Sequence, residues 1–496
     1  MMGNRVAAAS AAAVILGIAG GAFAADLNAM PTKAPVLKTD ATCRSAVDFF
    51  TTGCQLAWYG VRFYGTIDIG FGYQSNGAPI DKFTSTGLTY LPQKMNNGAK
   101  WLFNQNAMSA SNIGFDIKEP LGGGWSFIGQ VEAAFDPASF DLTSGPGAIR
   151  DVIGRSLGSA PGVADSSVNG QFYNSLGFVG VSNATWGTLT FLRQKDLISD
   201  IFGSYDPIPG SNAFSLISGS GTYPGGGDTE NVRATTAVKY RVNFANYRLG
   251  LFGQFGDYAA GNSAKGTFQG EVGADYHVGP GLLSLDAGGG YTKDAVSESI
   301  AIANTAAVPS TINGVGNPNA QITGLNATIS DNTAATAVVK YTVDRLKLYA
   351  GYEWIQFAPP SDIPTGFTDI AGIQFGVPGF AITTATFNAK DKVLNVGWGG
   401  ARYSITDAVD VAGAYYHVSQ NNFTGSATTC AGATGNLAAS ACAGTQDTVS
   451  AVVDWKFAPK WDTYVGTQYT KLSGGLANGF IADNFLVTSA GVRFRW

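Results

Sequence analysis

The sequence predicts an all-β fold: a transmembrane antiparallel β-barrel of about 16 strands whose long third loop folds into the lumen. Three observations lead there. Charged residues make up only 13% of the chain, about half the ~25% of ordinary globular proteins, while aromatics reach 12% and Gly accounts for 66 of 496 residues. Mean hydropathy is near zero (+0.07), and past the N-terminal segment there is no uncharged apolar run of the ~18 residues that a spanning helix needs. Apolarity is therefore dispersed, and the third observation shows how. From Asn231 to Val242, Val232, Ala234, Thr236, Val238, Tyr240 and Val242 share one side of a strand, while Arg233, Thr235, Lys239 and Arg241 share the other. One face suits hydrocarbon and the other water.

Taken in order, the chain opens with an export signal over residues 1–24: Arg5, an apolar core from Val6 to Ile18, and a small-residue cleavage site at Ala22-Phe23-Ala24. Residues 25–57 form a leader outside the barrel, carrying Cys43 and Cys54. A second pair, Cys430 and Cys442, sits in another turn-rich stretch. Export to an oxidising compartment makes two local disulfides the natural pairing among three connectivities. Neither pair has a His near it in sequence, so no metal or cofactor is expected. The formal net charge of −5 is too mild to imply nucleic acid.

The barrel then occupies 58–496. Val61 to Tyr73 alternates Val61, Phe63, Ile67, Ile69 and Phe71 against Arg62, Tyr64, Thr66 and Asp68, and exceeds the ~9 to 11 residues that a tilted spanning strand needs. The same template places strands at 109–118, 125–135, 171–182, 188–194, 231–243, 246–257, 265–278, 282–293, 332–344, 346–357, 390–405, 408–419, 446–457, 461–471 and 484–496. Tight turns (Leu121 to Gly124, Asn183 to Gly187, Gly279 to Gly281) alternate with mostly longer loops (Asp136 to Gly170, Ala295 to Ser330, Ala358 to Ala389), as in outer-membrane barrels. Unpaired backbone groups cost several kcal/mol each in hydrocarbon, so such strands must close into a sheet without edges. Outward residues include Phe63, Phe127, Leu251, Trp354, Trp398 and Trp455. Aromatics at strand ends (Trp58-Tyr59, Trp125, Trp354, Trp455) read as interfacial girdles. In the last strand, alternation turns Val492, Phe494 and Trp496 toward lipid and Arg493 and Arg495 toward the lumen.

The loop from Lys195 to Glu230 holds one base against Asp196, Asp200, Asp206, Asp228 and Glu230. Folded inward, it sets these acids across the pore from Arg233, Lys239 and Arg241 on the strand that follows, with Arg62 and Lys118 on the wall beyond. Further inward charges by parity are Arg248, Lys347, Lys456, Asp68, Asp116, Glu132, Glu353, Asp410 and Asp454. Arg193 shares parity with Leu189 and Phe191 and reaches the lumen only if a bulge or a strand end intervenes.

Three blocks resemble the general diffusion porins of Gram-negative outer membranes, in an alphaproteobacterial-like form. They are Tyr64 to Asp68, Ser111 to Glu132 (SNIGFDIKEPLGGGWSFIGQVE) and Asn174 to Gln194 (NSLGFVGVSNATWGTLTFLRQ). The resemblance implies a sixteen-stranded barrel, usually a homotrimer in outer-membrane lipid. It implies an inward third loop, passage of small hydrophilic solutes and ions, and a C-terminal signal (Phe494, Trp496) for the barrel assembly machinery. Arg233 matches a wall-arginine position. Asn112 and Ser175 stand where family members commonly carry arginine, Leu192 stands where they often have Gly, and Trp496 replaces the usual terminal Phe. Two other readings are a non-conducting adhesive barrel, whose lumen would be plugged by apolar side chains, and a barrel hydrolase. The latter finds only His277 and His417 and no GxSxG motif, so no enzyme is expected.

Overall fold

The computed structural model describes residues 42–76, 90, 99–138, 140, 175–217, 233–255, 266–302, 311–312, 315–316, 322–361, 369–370, 373–374, 381–385, 390–426, 428–432, 434–480 and 482–496. The export signal, Asp228 and Glu230 lie outside them. The chain enters through a short helix, α1 (Ala46–Thr51), capped by Ser45, whose hydroxyl accepts from the Asp48 amide. Cys43 and Cys54 are disulfide-bonded around it, and Cys430 is bonded to Cys442, as the spacing suggests.

Sixteen antiparallel strands follow: β1 (Val61–Gln74), β2 (in two pieces, Lys100–Phe103 and Asn112–Gly122), β3 (Trp125–Ala134), β4 (Leu176–Asn183), β5 (Gly187–Lys195), β6 (Arg233–Phe244), β7 (Tyr247–Phe255), β8 (Gly266–Val278), β9 (Gly281–Ile302), β10 (Ile322–Val343), β11 (Leu346–Ala358), β12 (Lys392–Ser404), β13 (Val409–Gln420), β14 (Gly444–Ala458), β15 (Trp461–Gly474) and β16 (Asn484–Arg495). Each pairs with its neighbours in sequence, and β16 pairs with β1 from Thr66↔Arg495 to Gln74↔Val487, which closes the barrel. Closure at this strand number leaves an interior too wide for wall side chains alone to fill.

Every second connection is tight. The β2–β3 turn runs through Gly122, Gly123 and Gly124 at φ +89, +57 and +80, a conformation that costs other residues their Cβ clearance. Outward residues form an exposed apolar belt, among them Phe71, Phe115, Leu251, Val272, Leu348, Val449, Val465 and Val492. Trp58, Tyr59, Trp125 and Trp455 are exposed near strand ends, where interfacial aromatics belong.

Four expectations are corrected. The stretch from Ala295 to Ser330 is not all loop: β9 and β10 continue their ladder out to Ile302↔Ile322. Trp398 faces inward, 5% exposed, because Val396, Trp398 and Leu394 form an apolar stripe that the inward loop covers. Ala234 is likewise buried inside with Ala237, since Thr236 adopts φ +50 and breaks the alternation of β6. Phe494 points outward but is only 7% exposed. Phe49 and Phe50 of α1 lie 5.5 and 5.4 Å from its ring, so the disulfide-pinned helix covers it instead of lipid.

Candidate functional site

The site begins where β5 ends. Leu192 takes φ +79 and the β5–β6 register shifts between Leu192 and Gln194. This bulge swings Arg193 inward, where it is 6% exposed. The chain then leaves the wall and crosses the lumen as a second helix, α2 (Leu197–Tyr205). Asp196 caps it, accepting from the Ser199 amide at 2.7 Å. Gln269 of β8 meets the same helix end: its amide donates to Asp196 at 2.9 Å, and its carbonyl accepts from the Leu197 and Ile198 amides. Of the orphan N–H groups of the first turn, those of Leu197 and Ile198 are thereby satisfied by the wall and that of Ser199 by the cap. Burial pushes the Asp196 carboxyl up to about 6, against the opposing pull of those hydrogen bonds.

One turn later, Asp200 lies 2.9 Å from Lys239 Nζ and 3.5 Å from an Arg241 nitrogen. Burial would raise its pKa, but Lys239, Arg241 and Lys195 outweigh burial and hold the carboxyl below the usual carboxylate range. Arg241 also pairs with Glu271. The expected opposition of acid and base across open water is therefore corrected for Asp200: α2 approaches β6 closely enough for direct contact, and the charges dock the helix.

The far end of the helix is gripped on three sides. Arg248 donates to the Tyr205 hydroxyl at 3.2 Å while bonding Asp275 and Asp286. Lys340 Nζ sits 5.0 Å above the Tyr205 ring and donates to the Ser204 carbonyl. Trp398 donates to the Tyr205 carbonyl at 3.1 Å. Asp206, the next residue, accepts from Tyr416 of β13 at 2.8 Å and from Ser215 at 2.5 Å. It is 1% exposed and anchors the loop, so it is not a charge presented to the pore.

Between these polar points the loop packs with apolar side chains. Ile198, Ile201, Phe202, Ile208, Phe214 and Leu216 are buried in one cluster with Val338, Ile355, Phe357, Val396, Tyr416 and Tyr464 of the wall. Two wall glycines make room. A Cβ on Gly288 would lie 2.7 Å from Ile201 Cδ1, and one on Gly466 would lie 2.8 Å from the Phe214 ring. The apolar lumen stripe is thus a seat for the loop along strands β9 to β15.

The facing wall is polar. Arg62 is paired with Asp116, and Lys118 follows on the same face by alternation. Tyr64 donates to Glu132 at 2.9 Å and accepts from Gln130, and Ser175 also bonds Glu132. Arg233, at the start of β6, interacts electrostatically with Glu132. The loop therefore lies against one side and leaves a charged, hydrogen-bonding surface on the other. Elsewhere on the inner wall, Arg402 binds Asp410, and Arg493 binds Asp454 and Asp462. Glu271, Asp286 and Gln269 were not singled out from sequence, although Gln269 and Glu271 alternate with Phe268, Gly270 and Val272. His417 lies 2.7 Å from Asp447, which also accepts from Tyr415.

Comparison with known proteins agrees with the barrel fold. Residues 7–377 match the family model described as Gram-negative porin. An outer membrane porin protein of Bordetella pertussis is 26% identical over 155 residues, 31% of this chain and 33% of that protein, so the match spans about a third of the relative's length. Among solved structures, the anion-selective porin from Comamonas acidovorans aligns over 88% of this chain and 99% of its own, with a TM-score of 0.54 and 14% identity. The trimer form of OmpT, an outer membrane protein of Vibrio cholerae, aligns over 88% and 99% with a TM-score of 0.50 and 14% identity. At such identities these structures speak for the fold.

Proposed function

This chain belongs to the Gram-negative porin family, an outer-membrane β-barrel, and from that premise we propose that it forms a water-filled channel for passive diffusion of small hydrophilic solutes and ions. The observation that carries the reading is the asymmetric lumen. A closed sixteen-stranded wall is covered by an inward loop along β9 to β15, while Arg62, Tyr64, Asp116 and Glu132 line the side that the loop leaves. Polar walls of this kind let hydrated solutes exchange water for protein hydrogen bonds as they pass.

On this reading the constriction lies at α2, with Asp200, Lys239, Arg241 and Arg233 as its charges and Asp196 and Asp206 as the loop's anchors. The chain passes solutes and transforms none. Export through a signal at residues 1–24 belongs to the same reading. So does assembly as a homotrimer, which the Vibrio cholerae trimer form and the exposed aromatic group Phe71, Trp101 and Phe103 on β1 and β2 support. A mass measurement giving only monomer in mild detergent would remove the trimer and leave the channel.

The test is swelling of proteoliposomes in isotonic sugars of increasing size. Fast swelling in monosaccharides, slowing as the sugar grows, is expected; no swelling above protein-free vesicles would refute a diffusion channel.

A further inference from the structure

Strand β1 is continuous, but its partner is not. Phe71 to Gln74 pair with Lys100–Phe103, and Val61 to Thr66 pair with Asn112 to Ile117. Between those pieces, Asn104 to Ser111 leaves the ladder and turns into the lumen, with Asn106 at φ +60 and Asn104, Asn106, Ala107 and Met108 all buried. Backbone groups that abandon a ladder inside a barrel need replacement partners, and Asp68 of β1 supplies them. One carboxylate oxygen accepts from the Met108 and Ser109 amides at 2.9 and 2.7 Å, and the other accepts from the Tyr464 hydroxyl at 2.7 Å. The Asp68 carbonyl accepts from the Asn106 amide at 3.0 Å. The opposite edge of the segment holds the inward loop. Ala107 O accepts from the Ala213 amide and the Ser211 hydroxyl, both at 2.9 Å, and Asn106 O accepts from the Asn212 side chain at 2.7 Å.

We propose that this broken strand is a second constriction element: Asp68 positions the Asn104–Ser111 segment, that segment holds the tip of the loop that carries α2, and the two together set the size limit of the channel. The inference rests on the channel reading. It assigns positioning roles to Asp68, Ser211 and Asn212, which lie away from the charged face of α2. A loop fastened only along β9 to β15 ends in a free tip. A tip bonded to the Asn104–Ser111 segment is fastened at both ends, and the two inward segments together are what larger solutes meet.

The test uses the full chain in proteoliposomes. Ser211→Ala combined with Asn212→Ala removes the two buried hydrogen bonds that these side chains donate to the segment, together with the one that the Ser211 hydroxyl accepts from the Phe214 amide; loss of the two that tie the tip down raises its undocked population by roughly 5- to 30-fold. Swelling in a trisaccharide relative to a monosaccharide should rise in this variant and in Asp68→Asn. Ser211→Thr, which keeps the donor, should hold the wild-type ratio. If wild-type protein discriminates by size and the folded double variant shows the same ratio, the proposal is overturned while the channel stands. If wild-type protein admits no sugar, the channel reading itself has failed. Asp68→Asn sits deeper, so the double variant decides should Asp68→Asn fail to fold.

Discussion

Replacing Asp200 with Asn tests whether α2 marks the constriction. The substitution keeps the shape of the side chain and an oxygen for Lys239 but removes a negative charge lying 2.9 Å from Lys239 and 3.5 Å from Arg241. Breaking a buried ion pair outright costs about 3–5 kcal/mol; the remaining carbonyl and the apolar seat of α2 keep the loop docked. An ion passing ~8 Å away in water feels one such charge as about 0.5 kcal/mol by Coulomb's law. A Debye length of ~10 Å at 0.1 M salt leaves roughly half of that. Because the change acts oppositely on anions and cations, the anion-to-cation permeability ratio should rise about twofold at 0.1 M and return to the wild-type value near 1 M, where screening shortens to ~3 Å. The assay is reversal potential across a bilayer under a salt gradient, with heat-modified gel mobility as the folding control. Lys239→Ser combined with Arg233→Ser should move the ratio the other way. Unchanged reversal potentials at low salt in folded, conducting variants would mean that ions do not pass α2 closely.

Other outcomes follow from the same contacts. The Asp196 carboxyl is raised to about 6 by burial, so its neutral form is the one the fold favours: this contribution is fully present below the unfolded value of ~3.9 and is lost as pH rises through about 6. Thermal midpoints should therefore fall through this group as pH rises from about 4 to about 6, and Asp196→Asn, an equally good cap, should flatten that step. Gly466→Val would drive a side chain into the Phe214 ring, an overpacking worth ~1–3 kcal/mol, and should expose the loop to protease in detergent while the barrel persists. Asp206→Asn should act in the same way, through docking, with little change in selectivity. Removing the Cys43–Cys54 bridge with Cys43→Ser and Cys54→Ser loses about 3 kcal/mol of chain restraint on α1. The expected result is proteolytic trimming ahead of Val61 and solvent quenching of Trp496, with unchanged conductance.

The barrel was legible because alternation is written into each strand. Val61 to Tyr73, Asn231 to Val242 and the C-terminal Arg493 and Arg495 announce two solvents, and the turns at Leu121 to Gly124 and Gly279 to Gly281 mark the reversals. The bulge that a lumenal Arg193 would need was found at Leu192. What stayed hidden depends on contacts between elements far apart in sequence. Trp398 looks like a lipid-facing residue until the loop that covers it is known, and Ala234 changes sides through a kink at Thr236. The acids of the loop were visible as a group, but not their division of labour. Asp200 meets bases, Asp196 closes a helix and Asp206 meets Tyr416, and only the path of the loop distinguishes them. Nothing local marked Asn104 to Ser111 as an inward segment, since its partners are Asp68 and Asn212.

Solutes pass beside an inward loop held against one wall of the barrel. Single-channel recording of purified protein in a planar bilayer, comparing wild type with a variant lacking residues 197–217, addresses it most directly. Discrete ohmic steps in wild type, and markedly larger steps when the loop is gone, are the expected result. Steps of equal size in both, with the barrel folded, would contradict it.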